Sequence, residues 1–121
     1  KRQTLNMFVN DVLGYRMKSE QPLFYSIYCF GTADAIGFRN DLLRIFDLKT
    51  GTTKASLMQL KVYAALFCLE YGIRPAAIEY DLRIYQNDAI FTDDIDSTEI
   101  AHIMDRIITF DKYISELNAE R

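Results

Sequence analysis

Apolar positions change period several times along the chain. From about Thr4 to Lys18 they recur every three to four residues, with Leu5, Phe8, Val9, Val12 and Leu13 forming one stripe, which predicts an amphipathic helix. Pro22 is expected to end it, because the residue before a proline is pushed out of helical space. Leu23 to Phe30, Thr32 to Phe38 and Leu42 to Asp47 are rich in aromatic and bulky aliphatic residues and read as strands. Asn40-Asp41 between the last two suits a two-residue hairpin turn, since both residues tolerate positive φ. Thr53 is a plausible N-cap for a helix from about Lys54 to Tyr71, closed by Gly72 and Pro75. Ile78 to Gln86 alternates, with Ile78, Tyr80, Leu82 and Ile84 on one side and Glu79, Asp81, Arg83 and Tyr85 on the other. Asn87-Asp88 turns into a short strand, Ala89 to Phe91. Asp96-Ser97-Thr98-Glu99 has the form of a capping box for a last helix to about Leu117. A hairpin followed by a helical crossover predicts an α/β fold with a mixed central sheet flanked by helices.

The hairpin carries a geometric consequence. With Asn40 and Asp41 as its loop, Arg39 pairs with Leu42 and Asp34 falls opposite Asp47, where directly opposed Cβ atoms lie about 4.5–5.5 Å apart. Two such carboxylates repel, so one takes a proton or a cation sits between them. Lys49 lies two residues past Asp47, on the same strand face. On residue types alone two readings stay open. One is a site for a hard divalent cation with a lysine as electrostatic stabiliser. The other is a solvated face carrying cross-strand Asp/Lys pairs.

Length and composition fit one soluble domain: 121 residues, half of them hydrophobic and about a quarter charged. No apolar run approaches the roughly 18 residues that span a bilayer, and no signal peptide is recognisable, so a cytoplasmic protein without membrane association is expected. Cys29 and Cys68 lack metal-ligand spacing and read as small hydrophobes with free thiols. A net charge of −3 gives no electrostatic pointer to nucleic acid. The chain starts at Lys1 rather than Met, which leaves room for sequence upstream of the single domain expected over 1–121.

Three strings then stand in order: Gly31-Thr32-Ala33-Asp34, Asp47-Leu48-Lys49-Thr50-Gly51 and Gln59-Leu60-Lys61-Val62-Tyr63. Together they resemble the RecB-type branch of the PD-(D/E)XK nucleases, with its G-x-x-D strand, D-x-K-T-G strand and Q-x-x-x-Y helix. The resemblance spans residues 31 to 64. It implies a restriction-endonuclease-like core and divalent-metal-dependent DNA hydrolysis of exonuclease type, similar to enzymes of phages and prophages that serve recombination or repair. It implies Asp34 and Asp47 as metal ligands, the backbone carbonyl of Leu48 as a further ligand, and Lys49 as the catalytic lysine. Gln59 and Tyr63 would support the site and touch DNA. Mg²⁺ or Mn²⁺ is the implied cofactor. DNA is the implied partner, with a recombination, single-strand-binding or annealing protein beside it. An endonuclease of the same superfamily and a non-catalytic DNA-binding module are the alternatives.

The family's further acidic or histidine ligand, upstream of the sheet, has only Asp11 and Glu20 as candidates here. Two cysteines cannot hold the iron–sulfur cluster of some relatives, which takes four. His102 reads as an ordinary helix histidine, and Asp93, Asp94 and Asp96 as helix capping and loop solvation rather than a cation loop. Lys54, Lys61, Arg74 and Arg83 read as scattered surface cations.

Overall fold

The structure, a computed structural model, describes residues 2–119; Lys1 lies outside them. Helix α1 (Arg2–Gly14) leads into strands β1 (Lys18–Ser26), β2 (Cys29–Arg39) and β3 (Leu42–Leu48). Helix α2 (Met58–Tyr71), a short 3-10 turn (Pro75–Ala77), β4 (Glu79–Gln86), β5 (Ala89–Phe91) and α3 (Ser97–Ala119) follow. The strands form one sheet in chain order, antiparallel except where β3 runs parallel to β4 across the α2 crossover. The fold is α/β, a mixed five-stranded sheet flanked by helices.

Both tight hairpins stand where the Asn-Asp pairs are. Asn40 and Asp41 have φ of 52° and 60°, and Asn87 and Asp88 have 51° and 60°, the doubly left-handed turn that matches strand twist. Arg39 pairs with Leu42 as expected.

The N-terminal third departs from the sequence reading. Helix α1 stops at Gly14 and not near Lys18, because Arg16 takes a left-handed φ of 54°. The Met17 amide then reaches the Val12 carbonyl and the Arg16 amide the Leu13 carbonyl, the paired bonds of a Schellman stop. Pro22 ends nothing; it sits inside β1, an edge strand, where a missing N–H costs no ladder bond if it faces outward. The single strand expected over Leu23 to Phe30 is broken by a turn at Ile27-Tyr28. There the Ser26 hydroxyl accepts from the amides of Tyr28 (3.1 Å) and Cys29 (3.2 Å).

The buried face of α1 is also rotated from the expected stripe. Met7, Phe8 and Val12 pack against Ala35, Phe46 and Tyr85, while Leu5, Val9 and Leu13 are exposed. Two polar residues fix the rotation. Thr4 is tied to Asp88 through its amide and hydroxyl, and Asp11 accepts a 2.6 Å bond from the Tyr85 hydroxyl.

Helix α2 is buried almost all round, with Leu60, Tyr63, Ala64, Leu66, Phe67 and Cys68 enclosed between the sheet and α3. Each such aliphatic or aromatic side chain stabilises the fold by roughly 1.5–3 kcal/mol. The helix begins at Met58, four residues past the expected Lys54, and Thr53 is not its cap. Gly72 closes it at φ 64°. Helix α3 opens on Asp96, whose Oδ1 accepts from the Thr98 amide at 2.9 Å. Glu99 completes no box; it pairs with Lys61 of α2 at 2.9 Å. Among the described residues no helix is long and apolar enough to cross a membrane.

Candidate active site

Strands β2 and β3 part at one end, and the candidate site occupies the opening. Their regular register ends at Ala35↔Phe46, and one further step puts Asp34 opposite Asp47. Side chains replace the ladder there. The Asp34 amide donates to Asp47 Oδ1 at 3.2 Å, and the Leu48 amide donates to Asp34 Oδ2 at 2.9 Å. Strand β2 also turns over at this point. Ala33 and Ile36 belong to the core under α2, whereas Ala35 belongs to the core under α1, so the alternation skips a step across Asp34. Glu20 on β1, the position opposite Asp34 in the β1–β2 register, has a φ of 52°.

Asp47 follows Ile45 on the α2-facing side and pairs with Ile84 of β4. It is 3 % exposed. Burial pushes its carboxyl above the ordinary carboxylate range, and the Asp34 charge pushes the same way. The Asp34 amide and Lys49 oppose the shift. Lys49 extends the parallel ladder by one bond, its amide donating to the Tyr85 carbonyl at 2.9 Å, and its Nζ stands 3.4 Å from Asp47 Oδ2. Asp34 Oδ1 and Asp47 Oδ2 are the carboxylate oxygens that accept no backbone amide. Two carboxylates and a lysine in one strand opening form a compact, charge-imbalanced site.

Helix α2 supplies the wall. Tyr63 is buried, and its hydroxyl lies close enough to the acids that, after burial, the charges of Asp47 and Asp34 are what hold its pKa up. Gln59 Nε2 donates to that hydroxyl at 2.8 Å, so the Tyr63 proton is left to donate elsewhere. The Tyr63 ring lies on Gly31: a Cβ there would meet Cε1 at 2.6 Å. A glycine at 31 is therefore required by the ring and not by a turn.

The structure thus brings together Asp34, Asp47, Leu48, Lys49, Gln59 and Tyr63. It does not bring the two upstream candidates to them. Asp11 accepts from Tyr85 and Arg83 on the α1 side of the sheet, opposite to Asp47, and Glu20 is exposed. Among the described residues no group of three or more His, Cys, Asp or Glu side chains could hold a metal. His102 is exposed on α3, and Asp93 turns its carboxylate onto the Asp94 amide. Lys61 and Arg83 are engaged in ion pairs within the fold.

Gln86 was not foreseen. It is 2 % exposed at the end of β4 and clamps the loop that follows Lys49. Its Nε2 donates to the carbonyls of Gly51 (2.9 Å) and Thr53 (2.7 Å), and its Oε1 accepts from the Ala55 amide (3.3 Å). The available signal was phase: Gln86 falls in step with Tyr80, Leu82 and Ile84, a polar residue on a core-facing register.

The chain matches no family model and no curated protein. Among solved structures it is similar to one described as the crystal structure of SSO0001, at 17 % identity with a TM-score of 0.43, over 88 % of this chain. The chain spans 56 % of that chain's length.

Proposed function

We propose that this domain hydrolyses DNA phosphodiester bonds with a divalent metal, as an exonuclease-like enzyme of DNA recombination or repair built on a restriction-endonuclease-like core. The observation that carries the reading is the reciprocal seating of Asp34 and Asp47 in the parted β2–β3 strands with Lys49 beside them. Each acid spends one oxygen on a backbone amide, which fixes its direction and leaves Asp34 Oδ1 and Asp47 Oδ2 for a cation. That donor set fits Mg²⁺ or Mn²⁺, which take oxygen ligands and bind through one or two carboxylates while keeping several waters. The Leu48 carbonyl is the expected further protein ligand. When bound, such an ion neutralises phosphate charge and acidifies a water.

The chain's own residues do the rest. When ionised, Asp47 and Asp34 repel each other, and a bound cation would relieve that repulsion, in competition with a proton on Asp47. Lys49 is placed to neutralise charge developing on the phosphate or to orient the attacking water. The Tyr63 hydroxyl, held by Gln59, is placed to donate to a phosphate oxygen. A non-catalytic DNA-binding module is the second reading, favoured by the two-carboxylate set among the described residues.

The test is release of acid-soluble nucleotides from linear DNA by the full-length protein, with Mg²⁺, Mn²⁺ or chelator. Metal-dependent release that falls by orders of magnitude in Asp47→Ala supports the nuclease. Undiminished release by that variant removes it, and an inert wild-type protein that binds DNA favours the module. Circular DNA in the same assay separates exonuclease from endonuclease.

A further inference from the structure

Along β2 from the candidate site, beginning at Ile36 two residues from Asp34 and running to Arg39, lies a groove of about 650 Å³. It forms where β1 stops short: the first β1–β2 pair is Lys18↔Ile36, and β2 runs on to Arg39 with only β3 beside it. Its charge is opposite to that of the chain. Arg16, Lys18, Arg39 and Arg44 line it against one carboxylate, Glu79, although the whole protein carries −3. Arg44 is held by Asp81, but among the described residues Arg16, Lys18 and Arg39 pair with no acid. All three are exposed, at the left-handed helix stop, the start of β1 and the residue before the Asn40-Asp41 turn.

Aromatic rings line the same groove from the α2 side of the sheet, across the open edge of β2 from Arg39 and Arg44. Tyr71 and Phe38 are 59 % and 41 % exposed and flank Phe67 at ring separations of 4.9 and 5.1 Å. Opposite them Tyr15 carries the Arg44 guanidinium on one face, 3.7 Å from its centroid. Cations alone would suit any polyanion. Cations with exposed rings suit a strand whose bases are free to stack, which a duplex does not offer.

We infer that this groove is a binding site for single-stranded nucleic acid, distinct from the candidate active site, with Arg16, Lys18 and Arg39 on phosphates and Tyr71 and Phe38 against bases. The strand's identity as DNA rests on the proposed nuclease reading; the groove itself does not. The groove shares no lining residue with the carboxylate site, so it gives the protein a second grip on the polymer.

The experiment is fluorescence anisotropy of a labelled oligothymidylate of about 16 nucleotides with the full-length protein, in chelator so that nothing is cleaved. Arg16→Ala/Lys18→Ala/Arg39→Ala should weaken binding at least tenfold and lower the slope of log affinity against log salt by about 2. Lys54→Ala/Arg74→Ala, two exposed cations outside the groove, should leave both unchanged. Tyr71→Ala should cost the single strand about tenfold and a duplex of equal length much less. Circular dichroism melting of each variant confirms that it is folded. Unchanged affinity in the triple variant overturns the inference, as does an equal Tyr71→Ala loss on duplex, or competition by polyglutamate as strong as by the oligonucleotide. Binding through the groove by a protein that never cleaves DNA upholds the groove and removes the nuclease; cleavage with no groove effect does the reverse.

Discussion

The ring of Tyr63 rests on the bare Cα of Gly31, with room for no side-chain atom between them. This contact sets how close α2 comes to β2, and therefore how close the Tyr63 hydroxyl comes to Asp34 and Asp47. Gly31→Ala should displace the ring, lower stability by about 1–3 kcal/mol and reduce DNA cleavage more than tenfold. In a Tyr63→Ala background, itself destabilised by the cavity it opens, Gly31→Ala should add little further loss, since the clash partner is gone. A double-mutant cycle of chemical denaturation checks this; additive losses would show that the contact is not the cause.

Asp47→Asn should separate stability from activity. The asparagine can still accept the Asp34 amide, but it carries no charge to desolvate and none to repel Asp34. Because the folded carboxyl is raised above its unfolded value, its protonation favours the fold. That contribution is fully present below the ordinary carboxylate range near 3.8 and is lost as pH rises through the raised value. At neutral pH Asp47 is therefore a stability cost, and the variant should melt a few degrees higher than wild type while losing activity. At pH near 3 the difference in melting temperature should vanish. Thermal melts across pH, in chelator, are the check; an equal advantage at both pH values would contradict the assigned cause.

How much of this was legible in the sequence depended on whether one residue type has one structural use. Asn40-Asp41 permits few backbone choices, so the pairing of Asp34 with Asp47 followed from counting along the hairpin. Gly72 announced the end of α2 for the same reason. Arg16 announced nothing: a left-handed arginine at a helix stop has no composition signal, and α1 was expected to run on. Ile27-Tyr28 was read as strand because both residues are apolar, while the turn is closed by the Ser26 hydroxyl. The stripe of leucines mispredicts the buried face of α1, because Thr4 and Asp11 decide what it meets. At the site, Asp34, Asp47 and Lys49 were readable from the period of two. The skipped alternation at Asp34 was not, since it arises from the strands parting.

Gln86 makes a third prediction. Its amide makes three hydrogen bonds to the backbone of residues 51–55, and together these fix the segment between Lys49 and α2. Gln86→Leu keeps the approximate volume and removes all three, leaving the Gly51 and Thr53 carbonyls and the Ala55 amide without that partner. It should cost about 1–3 kcal/mol. Limited proteolysis should then cut first between residues 50 and 57, where wild type resists. Cleavage elsewhere, with the loop still protected, would mean that Gln86 is not what holds it.

Lys49 distinguishes a role in holding metal from a role in the reaction. Its ammonium stands 3.4 Å from Asp47 Oδ2, so without a cation it offsets part of the charge of the acid pair. On the proposed mechanism a cation would make that duty redundant, and the charge would become available to a phosphate whose negative charge grows in the transition state. Lys49→Ala should therefore leave Mn²⁺ affinity, read by calorimetry, the same or slightly tighter, because a competing positive charge is gone. DNA cleavage should still fall at least a hundredfold, and the fall should appear in kcat rather than in KM. Lys49→Arg keeps the charge but spreads it over a planar fork, so it should recover only part of the rate. Asp34→Ala should behave in the opposite way, losing Mn²⁺ affinity together with rate. If Lys49→Ala lost metal affinity as Asp34→Ala does, the lysine would be a scaffold for the acids and not a participant in the chemistry.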